Sequence, residues 1–233
     1  MNVHLKLSQK QRGGNCIIYF FKKYIFYILF AVIVLLFTVI IIFKNNGSQY
    51  IREHEITAYL KDGDVICRLG EKIWSSVAKE ISPADKRFSH MGIIRIRDDA
   101  VSVIHVEGAT KDKKDYVKEV PLTDFLHPAQ TIGIFRLNDI NGYKVSDLAL
   151  EYLGVPFDRD FDKNDNSKLY CTELLYVILK RIAPGIALNT IWLENLNKYV
   201  IPIDIVSQSE YFMEIGYWER ENSTERIDKN HIN

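Results

Sequence analysis

Cys171 stands where a polar loop over residues 158–168 gives way to a stretch whose apolar residues, Leu174, Leu175, Ile178, Leu179 and Ile182, recur at helical spacing. A thiol in the first turn of a helix faces unpaired backbone N–H groups, which favour the thiolate and lower the pKa. A thiolate is a nucleophile, and the same N–H groups can stabilise an oxyanion on an attacked carbonyl. The plainer reading is a cysteine packed as a small hydrophobe. Cys67 fits that plainer reading better, since it ends the buried-strand pattern DGDVIC with no helix start behind it.

Such a nucleophile needs a base, and the base needs a partner that fixes its tautomer. His90 opens the apolar stretch HMGIIRIRDD, and His105 lies in the next, SVIHVEG. If the chain turns at Asp98 and Asp99, the two stretches pair antiparallel and bring position 90 opposite positions 105–107. His105 could then orient His90. Glu107 shares a face with His105, because side chains alternate along a strand, and competes for the same role. Either histidine could also be a half-exposed strand residue without a role.

The elements that must hold these groups read as short strands flanked by helices. DGDVICRL enters a buried strand, TIGIFRL is another, and residues 73–81 carry helical spacing. A further helix is expected over residues 144–154, ending on Gly154 with Pro156 behind it, and Pro184 and Gly185 close the Cys171 helix. Strands in the middle with helices on either side predict an α+β domain.

Taken in order, GDVICRL, SHMGI, VIHVEG, YLGVPFD and LYCTEL resemble the permuted papain-like amidases of the YaeF/YiiX type, relatives of the NlpC cell-wall peptidases in which histidine precedes cysteine. The resemblance runs from about residue 60 to 179 and continues weakly through PIDIVSQSEYF. It implies an α+β, permuted papain-like (NlpC-like) domain with an antiparallel sheet and packed helices. It also implies a cysteine hydrolase with Cys171 as nucleophile and His90 as general base. The third position, commonly Glu in these amidases, falls here on His105, and related permuted enzymes acting on lipids use His there. Glu107 remains the alternative, and Tyr170 beside the cysteine is expected on the pocket wall. The implied reaction is cleavage of an amide or ester through an acyl-enzyme. The alternatives are acyl transfer to a lipid or amine acceptor, and a non-catalytic binding module of the same fold.

Composition sets the surroundings. Thirty basic and thirty acidic residues cancel, which argues against a nucleic-acid partner. Three cysteines are too few and too scattered for a disulfide scaffold or a cysteine-rich zinc site, and the remaining histidines are dispersed. From Asp162 the pattern D-x-N-x-N-S-x5-E reaches Glu173 and approximates a calcium loop, but Ser167 stands where the sharp turn wants glycine. Neither metal nor cofactor is expected.

Residues 24–43 are apolar except for Thr38, enough for about 30 Å of helix, the thickness of a bilayer core. Lys6, Lys10, Arg12, Lys22 and Lys23 precede them without an acid, so the positive-inside bias puts the N-terminus in the cytoplasm. The expectation is a single-pass membrane protein. Residues 1–23 form a basic cytoplasmic segment, 24–43 a transmembrane anchor and 44–59 a linker. Residues 60–215 form an extracytoplasmic hydrolase domain, and 216–233 a polar tail. A small peptide, amide or lipid-like molecule is the expected substrate.

Overall fold

A computed structural model describes residues 24–40, 51–70, 82–108, 115–194 and 196–220. The chain divides into two compact units, Met1–Gln49 and Tyr50–Asn233. In the first, residues 24–40 form a helix exposed along its whole length. Among the described residues no helix is long and apolar enough to cross a membrane. Residues 41–43 of the expected span, Cys16, and the helix expected over residues 73–81 lie outside the described residues.

The second unit is built on six antiparallel strands in the order β4-β3-β2-β1-β5-β8. These are β1 (Val65–Gly70), β2 (His90–Arg97), β3 (Ala100–His105), β4 (Lys118–Pro121), β5 (Ala129–Leu137) and β8 (Phe212–Glu219). The β2–β3 hairpin turns at Asp98 and Asp99, with φ of 49° and 63°, the left-handed geometry that matches strand twist. Pairing runs from Arg97 with Ala100 back to Ile93 with Ile104 and stops there.

Alternation along the strands sorts their side chains onto two apolar layers. Val65, Cys67, Met91, Ile93 and Ile104 face α3 (Gly142–Leu150) and α4 (Cys171–Ile182), whose Val145, Leu174, Leu175 and Ile178 close the first layer. Ile66, Ile94 and Val103 form the second layer with Ile56 of α1 (Glu53–Thr57) and with Leu122 and Phe125 of α2 (Leu122–Leu126). A small hairpin of β6 (Ile191–Leu193) and β7 (Lys198–Val200) and the short α5 (Ile205–Gln208) precede β8.

Two expected boundaries move. Ile51 and Ile56, assigned to the linker, are buried in the second layer, so the fold begins before residue 60. Strand β8 runs past position 215, pairing Trp218 with Ile132 and Glu219 with Thr131. Ile215 and Trp218 pack against the second layer, which explains why a segment that reads as polar tail is ordered against β5.

Candidate active site

His90 begins β2 directly across from Arg68 of β1. Continuing the β2–β3 register past Ile93 and Ile104 sets Gly92 beside His105 and His90 beside Glu107. The two imidazoles meet, with His90 Nε2 and His105 Nδ1 2.9 Å apart. Gly92 makes that possible, since a Cβ there would stand 2.4 Å from Val103 Cγ1 and 3.1 Å from His105 Cβ. Phe125 covers both rings, with centroids 5.6 Å from His90 and 5.3 Å from His105. Burial, helped by the charges of Arg68 and Lys118, holds the His90 pKa well below its ordinary value. Burial likewise pushes His105 down to about 2, so both rings are neutral at pH 7. A neutral imidazole carries one donor and one acceptor nitrogen, so each ring satisfies the other. With Nε2 engaged, Nδ1 of His90 is the nitrogen left for a second partner.

Cys171 is the first residue of α4, which docks on the first apolar layer. The backbone N–H groups of Met91, Thr172 and Cys171 itself lie on the side of its sulfur and act to lower the thiol pKa. The Met91 N–H is free for this because the β2–β3 ladder ends two residues earlier. The nucleophile candidate therefore sits at the end of β2, one residue along from His90, although among the described residues no hydrogen bond joins it to either imidazole. The sequence-based expectation of a lowered thiol pKa is corrected here. Burial outweighs the three N–H groups, and the nearby Glu107 charge adds to it, so the thiol is raised to about 11. Cys67, fully buried in the first layer, is likewise pushed up by burial and is a core residue.

The start of α4 is clamped from both sides. Tyr170 Oη accepts the Ile201 N–H at 3.0 Å, and Thr172 Oγ1 donates to the Ile201 carbonyl at 2.7 Å. Tyr170, expected on a pocket wall, is 3% exposed and stacks on Phe161, so it is a buried anchor for the helix start. Glu173 reaches back to the Tyr170 N–H at 3.4 Å, while its Oε1 is buried without a partner. Burial, reinforced by Asp158, Asp162 and Asp165, raises Glu173 to about 8. The carboxylates of the calcium-like loop serve its turns. Asp158 accepts the N–H groups of Asp160 and Asp162, Asp162 that of Asn164, and Asp165 that of Ser167.

Sequence reasoning missed Arg68. It is 3% exposed, donates to Glu107 Oε2 and to the Phe125 carbonyl at 2.7 Å each, and lies 4.5 Å from the Phe125 ring centroid. A charged residue at the end of a buried-strand pattern was the available signal. Glu107, the alternative third member, is thus ion-paired to Arg68. His90, His105 and Glu107 are, among the described residues, the one set of metal-capable side chains whose ligand atoms all lie within 4.8 Å of one another.

A family model described as permuted papain-like amidase enzyme, YaeF/YiiX, C92 family, matches residues 59–202. The chain belongs to this family. A crystal structure of the metalloprotein yiiX from Escherichia coli O157:H7 shares the fold at a TM-score of 0.56 and 17% identity, covering 68% of this chain and 98% of that one. No curated protein matches. The family stretch contains His90, His105, Glu107, Arg68 and Cys171 together with the Ile201 clamp, whereas the edge strand β8 lies beyond it. Family membership supports a hydrolase of the amidase kind.

Proposed function

We propose that the protein is a cysteine-dependent amide or ester hydrolase working through an acyl-enzyme on Cys171, with His90 as base and His105 as its orienting partner. The observation that carries this is the buried imidazole pair at the end of β2, next to Met91, whose backbone N–H acts on the Cys171 thiol. The Cys171 sulfur attacks the substrate carbonyl while its proton passes to His90 Nδ1. Backbone N–H groups that face the sulfur are the donors available to the oxyanion. Collapse expels the amine or alcohol, which takes the proton from His90 and leaves a thioester. Water, deprotonated by His90, then attacks the thioester, the acid departs, and the proton returns to the sulfur. The thiol and imidazole begin neutral here, so proton transfer accompanies attack instead of preceding it. An acyltransferase would share every residue, with an amine or alcohol replacing water in the second step.

The anchor belongs to the same reading. Residues 24–43 would span the bilayer, with the N-terminus cytoplasmic and the hydrolase outside. The described part, residues 24–40, is apolar on all sides apart from Thr38, whose hydroxyl returns to the Leu35 carbonyl at 2.8 Å.

The test uses the full chain in detergent micelles, treated with N-acyl p-nitroanilides and p-nitrophenyl esters of increasing acyl length. Intact-mass measurement should find one acyl group, mapped by proteolysis to Cys171, and Cys171→Ala should abolish it. An adduct of equal yield in Cys171→Ala, or none with any acyl donor, overturns the reading. Alkaline extraction of membranes tests the anchor, since release of the protein into the soluble fraction would exclude a spanning helix.

A further inference from the structure

The neighbouring structure is of a metalloprotein, and this chain gathers two imidazoles and a carboxylate within 4.8 Å. Two histidines and a glutamate form a common zinc ligand set, so the fit must be judged from the atoms. A metal needs one lone pair from each imidazole directed at a common point. Here His90 Nε2 and His105 Nδ1 are directed at each other, 2.9 Å apart, with a single proton between them. A coordinating carboxylate must also bring its negative charge to the ion, yet that of Glu107 is already paired with Arg68, whose N–H its Oε2 accepts at 2.7 Å.

Arg68 is held from three directions. It sits across from His90 in the β1–β2 register and reaches over β2 to Glu107, which follows β3. Its second amino group is fixed on the Phe125 carbonyl, and its Cζ lies 4.5 Å from the Phe125 ring centroid. Swinging it out would break both hydrogen bonds. The guanidinium brings its positive charge to the carboxylate of Glu107. Lys118, across from His105 in the β3–β4 register, adds a second one. The cluster is therefore supplied with cationic charge before any metal arrives.

We propose that Arg68 is the resident cation of the His90–His105–Glu107 cluster: it neutralises Glu107 and keeps divalent metals out, so that the two imidazoles remain a proton-sharing pair. Arg68 is on this account a positioning residue, and the inference rests on the hydrolase reading for its purpose. It predicts that the donors would bind a metal once the guanidinium is removed.

Cobalt(II) is the probe, because its visible d–d absorption reports imidazole ligation. The full chain in micelles is titrated as wild type, Arg68→Met, Arg68→Lys and Arg68→Met/His105→Asn. Arg68→Met is expected to fold, since methionine fills much of the same volume and Glu107 keeps part of its carboxylate in water, at 30% side-chain exposure. It should bind one equivalent of cobalt with an affinity on the order of 100-fold above wild type, because a like charge is removed from beside the ion. Wild type and Arg68→Lys should remain empty at that concentration, and adding His105→Asn should abolish the gain. Wild type that binds cobalt through a signal removed by His105→Asn overturns the proposal. So does an Arg68→Met protein with native near-UV circular dichroism and no gain. If Arg68→Met does not fold, wild type against His105→Asn still decides, as stoichiometric cobalt lost in the variant overturns the proposal and an empty wild type upholds it. Acyl-enzyme mass on the same preparations separates the two readings. An empty wild type that never acylates sinks the hydrolase and spares the inference, whereas a cobalt-loaded wild type that acylates does the reverse.

Discussion

On one face of the sheet, Cys67, Met91, Ile93 and Ile104 pack with Leu174, Leu175 and Ile178 into an apolar layer that carries the Cys171 helix. On the other face, Ile66, Ile94 and Val103 give way toward the end of β2 to Arg68, His90 and His105 under Phe125. The thiol is placed by helix packing and by the Ile201 clamp on its two neighbours, the imidazoles by their mutual hydrogen bond under Phe125. The two sets come together where the β2–β3 ladder stops, next to Met91. If this division is right, substitutions on the first face should change stability, and those on the second should change chemistry.

The largest effects test whether both faces serve one reaction. Cys171→Ala should remove acyl-enzyme formation altogether, and His90→Gln should slow acylation on the order of 10³-fold, the scale of losing a general base. His90→Gln that acylates at the wild-type rate would break the link between the faces. Next comes the choice of orienting group. His105→Ala should lower turnover about 100-fold, with His105→Asn recovering part of it, since an amide can still hold His90 Nε2. Glu107→Gln should cost no more than about tenfold, because that carboxylate is bonded to Arg68. The reverse ranking would move the third role to Glu107.

Much of this was readable from residue order. The Asp98–Asp99 turn and strand alternation brought position 90 opposite 105–107, and the apolar spacing after Cys171 marked α4. What stayed hidden depended on contacts between distant segments. Ile201, thirty-one residues beyond Tyr170, carries no local sign that it grips both neighbours of the cysteine. Arg68 became meaningful only once β1 stood beside β2. The thiol pKa was misread because a helix start is visible in sequence, whereas the depth at which that start is buried is not. The end of strand β8 was missed because Glu219 and Arg220 made an edge strand look like tail.

On the first face the expected effect is one of stability. Ile178 is fully buried on α4, against the sheet. Ile178→Ala should cost about 2–5 kcal/mol by chemical denaturation, the range for emptying such a core position. Acylation per folded molecule should stay within about twofold of wild type, since this side chain belongs to the apolar layer. A large loss of acylation at unchanged stability would mean that packing on this face also tunes the chemistry.

The smallest effects are opposite pH slopes from the two flanks of the site. His90 and His105 are held below their unfolded value of 6.5, so the unfolded chain takes up their protons first as pH falls. Their contribution to stability is present above pH 6.5 and is lost as the pH drops below it. Glu173 is raised to about 8 from 4.5, so the unfolded chain releases that proton first as pH rises. Its contribution is present below pH 4.5 and fades as the pH climbs through 8. Between pH 7 and 9 the wild-type melting temperature should therefore fall relative to Glu173→Gln, whose amide cannot ionise. Each kcal/mol should appear as about 2–4 °C in a protein of this size. Between pH 6.5 and 4 the wild type should instead fall relative to His90→Asn/His105→Asn. Parallel wild-type and Glu173→Gln curves above pH 7 would show that the buried Glu173 carboxylate has found a counter-charge or a bound cation, and the acidic loop before α4 would then become the place to look for it.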